Sequence, residues 1–375
     1  MKIYNKTLGQ TQLRKRIGNM DQVAGVRIVQ LDDGNERPVR AAQFKTGTGL
    51  EFTVLLDRGM DIPSASYCGR AMGWRSTTGD VAPQYFEAEG IRWLRSYFGG
   101  MLTTCGLTNV GGPAPDSAVS GRGLHGRISH APARNLQVRQ EWDQEEYVLS
   151  VKGEMRETAL FSEKLSLTRT VSTKLGEKRF WIHDEIRNDG FNDTPFMVLY
   201  HCNVGWPAVE AGSRVLAPSR HIAPIGDFAK QDQARWNQLD APAHGIDEKC
   251  YYHDMKPAKD GTVVTAIVND RFGDGEGFGV YVKYNTNQLP RFTQWKMMGE
   301  QDYVVGLEPC NCGVTGRQVD EDNGLLHVLK PGEVRCVDLE FGPIATAEEL
   351  KAIEKVSGGA TPRFVDSCLK FVPKP

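Results

Sequence analysis

Eleven short runs rich in Val, Thr, Tyr and Phe recur along the chain, and they restrict its fold more than any other feature of the sequence. They cover residues 26–31, 50–56, 147–155, 164–172, 179–188, 195–202, 262–269, 277–285, 291–298, 303–309 and 333–341. Successive side chains of a strand point to opposite faces, so apolar residues at every second position mark a half-buried strand. Branched and aromatic side chains suit its pleated surface. Turn clusters such as residues 32–35, 188–195, 273–277 and 330–333 separate the runs at hairpin spacing. Helical signals are few. Residues 10–25 read as a short helix, and residues 346–359 open on Thr346 with Glu349 three positions on, a capping box, and stop at Gly358-Gly359. The expected class is mainly β with a few peripheral short helices. Neither a linker nor a shift in composition divides the strands, so one two-sheet sandwich domain is expected over residues 1–375, with an N-terminal extension (1–25) and a C-terminal helix and tail (345–375).

The 375 residues, 40% hydrophobic and 25% charged, are enough to bury a sizeable core. Forty-five Lys and Arg against 47 Asp and Glu leave a net charge of −2, with no excess to hold a phosphate backbone or an anionic membrane. Neither nucleic acid nor membrane is an expected partner; a homodimer is left open. No apolar run of signal length follows the basic start, which points to the cytoplasm. The eight cysteines (Cys68, Cys105, Cys202, Cys250, Cys310, Cys312, Cys336 and Cys368) show no paired metal-site spacing beyond the single C-x-C at 310–312. Free thiols, no metal and no cofactor are expected.

Two Gly- and Pro-rich stretches, 96–135 and 203–260, interrupt the strands and hold unusual polar residues. His125 lies in "GLHGR" with Arg127, and Asn109 precedes it. His201 and Asn203 follow the apolar run 195–202. Trp295 and Lys296 fall on opposite faces of one strand, and Glu308 precedes Pro309, which is expected to stop the ladder. Each also admits a purely structural role: His125 as a turn cap, Trp295 as core, Lys296 and Glu308 as solvated groups, Asp57 and Arg58 as a local ion pair. Spacing alone does not bring His125, His201 and Glu308 together.

The order of "GLHGR" (123–127), "LYHCNVG" (199–205) and "GLEPCNC" (306–312) resembles the galactose mutarotase or aldose 1-epimerase superfamily, over about residues 20–345. "LDRGMDI" (56–62), "GGMLTTCGLTNVG" (99–111) and "QWK" (294–296) look like a branch apart from the galactose enzymes. The resemblance implies a galactose mutarotase-like β-supersandwich binding a small-molecule sugar. Glu308 would be the base that removes the anomeric hydroxyl proton and His201 the acid that protonates the ring oxygen, with His125 bonding the sugar beside the anomeric centre. Arg58, Asn109, Arg127, Asn203, Trp295, Lys296 and Arg317 would bind substrate. Opening a hemiacetal removes one proton and adds another, so a carboxylate and an imidazole suffice, without metal or cofactor. The arginine that typical mutarotases carry near position 109 is missing, and their sugar-binding aspartate has only Asp247, Asp254 and Asp270 as candidates. Arg58, Arg127, Lys296 and Arg317 leave acidic, phosphorylated and keto-sugars open. A non-catalytic carbohydrate-binding protein, a keto-sugar epimerase or isomerase, and a lyase are the alternatives, because one fold hosts many chemistries.

Overall fold

The computed structural model describes residues 2–4, 6–113, 123–358 and 361–375. All eleven expected runs form strands, two of them (Thr262–Asn269 and Arg291–Met298) with the expected ends. Nine of them lie in two large sheets, and two in a smaller one. The back sheet runs, in spatial order, Arg214–Leu216, Thr262–Asn269, Phe278–Asn285, Val334–Ile344, Phe180–Asn188, Lys164–Lys174, Glu146–Thr158 and Arg134–Asp143. The front sheet runs His327–Leu329, Thr194–Val204, Tyr303–Cys310, Arg291–Met298, Lys249–Met255, Ser219–Ile225 and Arg363–Phe364. Thr103–Leu107 also pairs with Thr194–Val204. A third sheet, a meander of Gly25–Gln30, Arg40–Lys45, Leu50–Leu55, Asp61–Tyr67 and Arg70–Ala71, adds to the expected two.

Both stretches taken as loop-rich contain strands. Thr103–Leu107 lies in the first, of which residues 114–122 are outside the described residues; Ser219–Ile225 and Lys249–Met255 lie in the second. The helix expected over 10–25 is a short helix Gln10–Arg14 and a three-residue turn Met20–Gln22, with Gly18 between them. The C-terminal helix Ala347–Ser357 starts as expected, the Thr346 hydroxyl accepting from the Glu349 N–H at 3.2 Å. Its expected stop at Gly358 holds, while Gly359 is outside the described residues. No helix among the described residues is long and apolar enough to cross a membrane.

The main core joins Tyr200, Cys202, Val305 and Leu307 of the front sheet to Leu167, Ile182, Val282 and Phe341 of the back sheet. One fully buried cation ties all three sheets together. Arg169, on the back sheet, donates to Asp184 at 2.9 and 2.6 Å, to Asp61 of the meander at 2.9 Å, to the Gly59 carbonyl and to the Thr104 hydroxyl. Asp61 also accepts from the Thr104 N–H and hydroxyl, and Asp184 from the Tyr200 hydroxyl at 2.7 Å. Two carboxylates facing one guanidinium, all without solvent, are stable only as a complete set. Arg169→Met, which strands both acids, is expected to cost about 3–5 kcal/mol in urea-induced unfolding.

Candidate active site

Antiparallel register sets the site. Leu199 pairs with Cys310 and Cys202 with Leu307, which puts His201 directly opposite Glu308. The ladder lapses between those pairs, because Pro309 has no N–H to give. The expectation that Pro309 ends the strand is corrected: Tyr303–Cys310 continues past it, pairing Phe292 with Pro309 and Arg291 with Cys310 on its other side. The asparagine side chain of residue 311 completes the edge, accepting from the Val198 N–H at 2.7 Å and donating to the Phe196 carbonyl. Alternation then puts Thr103, His201, Glu308 and Thr293 in one row on the outer face, with Asn203, Gly306 and Trp295 in the next. Tyr200, Cys202, Leu307 and Lys296 fall on the inner face.

His201 Nε2 lies 3.3 Å from Glu308 Oε1, and the residues are 6% and 2% exposed. Glu308 Oε1 finds no hydrogen-bond partner among the described residues. It folds over Gly306, where a Cβ would stand 2.3 Å from it and 3.1 Å from the Trp295 Cβ. Aromatic rings wall the pair. Tyr97 lies 5.4 Å from the His201 ring, Trp295 5.3 Å edge-on and His125 5.8 Å edge-on; Trp93 stacks on Tyr97 and contacts His125, and Trp74 meets Trp295. The Trp295 indole N–H donates to Glu248 at 2.6 Å. Beneath these rings, Cys105, Met197, Leu199, Val304 and Cys310 form an apolar floor.

Burial dominates the electrostatics. It pushes the Glu308 carboxyl well above its usual range, with help from Glu248, and holds His201 down to about 3, with help from His125. His125 falls to about 4 for the same reason. The 3.3 Å contact has the geometry of an ion pair, yet two charges without further partners are costlier here than a neutral acid beside a neutral imidazole. Burial thus disfavours the charged form of each group.

His125 reaches this cluster through a close backbone crossing. Gly126 has φ +73°, and a Cβ there would sit 2.4 Å from the Gly106 carbonyl, so "HG" fits where "H" with any larger neighbour does not. His125 itself adopts φ +56°, a strained choice for a residue with a side chain, and its Nδ1 faces the Gly111 N–H at 3.4 Å.

The structure gathers His125, His201, Asn203, Trp295 and Glu308, but not all the expected sugar contacts. Arg58, 1% exposed, is enclosed by the carbonyls of Ser129, Val81 and Ser96 and lies over Phe98. Lys296 points to the other face and donates to the carbonyls of Arg235 and Gln238. Both are structural cations, since a buried charge must be solvated by the fold itself. Asn109 is used in joining Gly123 to the backbone N–H of Arg317, where the helix Arg317–Asp322 begins. Asn203 bonds Tyr97 and the His201 carbonyl. Arg127 lies over the Phe86 ring at 6.0 Å, beside a surface recess of about 430 Å³. Of the aspartates sought, Asp254 bonds His221 and Arg220, Asp270 bonds Arg214, and Asp247 is exposed; the acid that approaches the pair is Glu248. Tyr97, Trp93, Trp74 and Glu248 carried no pattern in the sequence, because they come from irregular segments and a strand-flanking loop. Two cavities, of about 900 and 870 Å³, lie elsewhere, beneath the C-terminal helix and on the meander face. All eight cysteines are free, and among the described residues no group of three or more His, Cys, Asp or Glu is arranged to hold a metal.

Solved structures share this architecture. A provisionally assigned aldose 1-epimerase from Klebsiella pneumoniae is 25% identical, covers 93% of each chain and superposes with a TM-score of 0.86. A galactose mutarotase-like protein of Clostridium acetobutylicum (13% identity, 87% of this chain and 100% of that one, TM-score 0.59) and a galactose 1-epimerase of Lactobacillus acidophilus (13%, 86% and 99%, TM-score 0.54) are alike in fold alone. The fold is thus that of a galactose mutarotase-like β-sandwich protein. Residues 36–342 match the family described as a domain of unknown function (DUF4432), and the chain belongs to it. No curated protein sequence matches the chain.

Two outcomes test the site's packing and charge. Gly306→Ala, which places a methyl against the Glu308 carboxylate, is expected to lose about 1–3 kcal/mol in denaturant unfolding. A buried acid whose pKa is raised in the fold stabilises below its unfolded value near 4.5 and loses that contribution as pH rises through the folded value. Glu308→Gln should therefore gain on wild type steadily as pH is raised above 4.5. The histidines act oppositely. With His201 near 3 and His125 near 4 in the fold against 6.5 unfolded, wild-type stability should fall as pH drops from 6.5 towards 4.

Proposed function

We propose that the protein is an aldose 1-epimerase that interconverts the anomers of a sugar, with Glu308 as base and His201 as acid. The observation that carries this reading is the buried cross-strand pair, 3.3 Å apart, with a carboxylate oxygen that has no hydrogen-bond partner among the described residues. Such an oxygen is suited to a ligand hydroxyl. The 25% identical Klebsiella protein, itself assigned to this activity provisionally, is consistent with it.

In the resting state the single proton of the pair sits on Glu308. Passing it to His201 Nε2 yields a carboxylate and an imidazolium on neighbouring strands, an acid and a base held by packing rather than by loops. The carboxylate takes the proton of the anomeric O1–H as the imidazolium gives its proton to the ring oxygen. The C1–O5 bond breaks and a carbonyl forms at C1. Rotation about C1–C2 presents the other carbonyl face, and the reverse transfers close the ring. The rings of Trp295 and His125 offer apolar surface to the C–H faces of a sugar, while the second ring nitrogen of His125 is available to bond a hydroxyl.

Exchange NMR over neutral, acidic and phosphorylated sugars tests this. Acceleration of anomer exchange for one class is expected, with Glu308→Ala and His201→Ala each lowering it by about 100-fold or more. A protein that accelerates none of them, but shows saturation-transfer contacts, would be a carbohydrate binder or act on another bond, and the epimerase reading would fall.

A further inference from the structure

Behind His201, on the side away from Glu308, lies a chain of hydrogen bonds that the acid–base chemistry itself does not require. Tyr97 follows the turn Arg92–Ser96, and its ring stacks on Trp93 at 4.6 Å. Its hydroxyl donates to Asn203 Oδ1 at 2.7 Å and lies 3.2 Å from His201 Nδ1. The Asn203 Nδ2 donates to the His201 carbonyl at 2.9 Å. Asn203 is fully buried, and Tyr97 and His201 are each 6% exposed, so water does not compete for these bonds.

The protons along this chain have only one consistent arrangement. A carbonyl oxygen only accepts, so the His201 carbonyl must face the amide nitrogen of Asn203; turning the amide over would set two oxygens against each other. Asn203 therefore presents Oδ1 to Tyr97, and the phenol must use its one proton there. Towards His201 the phenol oxygen can then only accept, so Nδ1 carries the hydrogen. A neutral imidazole has a single N–H, and which nitrogen bears it follows from the bond the other side makes. The lone pair is left on Nε2, facing Glu308.

We propose that Tyr97 and Asn203 are positioning residues that hold His201 in the Nδ1–H form, so that Nε2 can receive the proton of Glu308. In the other tautomer Nε2 would already carry a hydrogen, the Glu308 proton would have no acceptor, and the pair could not form a carboxylate and an imidazolium. The orientation originates in a backbone carbonyl and passes through two side chains. It is thus fixed by the strand Thr194–Val204 itself, which carries both His201 and Asn203. The kinetic consequence rests on the epimerase reading, whereas the tautomer does not.

The test is nitrogen-15 NMR of the histidine rings in wild type and Tyr97→Phe, with the His201 signals assigned by their loss in His201→Gln. Wild type should show a protonated Nδ1 and a bare Nε2 at neutral pH, and Tyr97→Phe, which keeps the ring stacked on Trp93, should shift His201 towards the Nε2–H form. Anomer exchange should then fall by about 10- to 100-fold in kcat with little change in KM, the size typical of losing a group that orients a reacting one. A wild-type spectrum with hydrogen on Nε2 overturns the proposal even if Tyr97→Phe does not fold, and so does an unchanged tautomer in a folded Tyr97→Phe. Wild type inactive on every sugar but showing the Nδ1–H form would remove the epimerase reading and leave the tautomer assignment standing.

Discussion

Arg169 holds the three sheets in a fixed relation, and the site depends on that relation. Its guanidinium is bonded to Asp184 on the neighbouring back strand, to Asp61 on the meander and to Thr104 beside the front sheet. Removing a guanidinium and two carboxylates from water is costly, and only mutual attraction with complete hydrogen bonding offsets it. Such a set does not tolerate slippage. Tyr200, bonded to Asp184, is drawn into it, and because neighbouring strand residues face opposite ways, His201 is thereby turned outward to the site. A one-residue slip of Thr194–Val204 would bury His201 in the core and expose Tyr200, breaking the network and the site together.

On the outer face the chemistry comes from economy of partners. Elsewhere inside, Arg58 and Lys296 are solvated by carbonyls, and Arg291 bonds Asp320. The His201–Glu308 pair differs in that Glu308 Oε1 has no hydrogen-bond partner among the described residues, and it is placed where Pro309 opens the ladder and Gly306 leaves room for a carboxylate. Burial disfavours the charged form of both groups.

Much of this was legible in the sequence where a strand has one wet and one dry face. Glu146–Thr158 and Lys164–Lys174 alternate in burial almost residue by residue, and their runs were found. Thr103–Leu107 is buried on both faces and includes Gly106; Arg134–Asp143 lies at a sheet edge with hardly a buried residue. The first has no alternation of burial to detect; the second alternates through Leu136, Val138 and Trp142 but buries none of them. His201 and Glu308 stand out because ionisable groups follow apolar runs, and His125 because it lies in a glycine-rich "GLHGR". Arg58 follows such a run and Lys296 lies on the opposite face of one strand from Trp295, yet both are enclosed by carbonyls, since a cation buried to bind carbonyls and one buried to bind a ligand look alike in one dimension. Tyr97 had no such contrast, being an aromatic residue among others in a glycine-rich stretch.

The sequence by itself determined the β class, the strands with two-faced burial, the capped C-terminal helix and the order of the polar segments, because these rest on periodicity and local hydrogen bonding within a few residues. Only the tertiary structure decided that His201 and Glu308 meet, that Tyr97 and Glu248 join them, and that Arg169 rather than a surface ion pair links the sheets. Those contacts join residues about 100 positions apart, and their existence turns on register, strand facing and the burial of charge. Each of these is a property of the packed sheets as a whole: no local segment contains the energy that selects it.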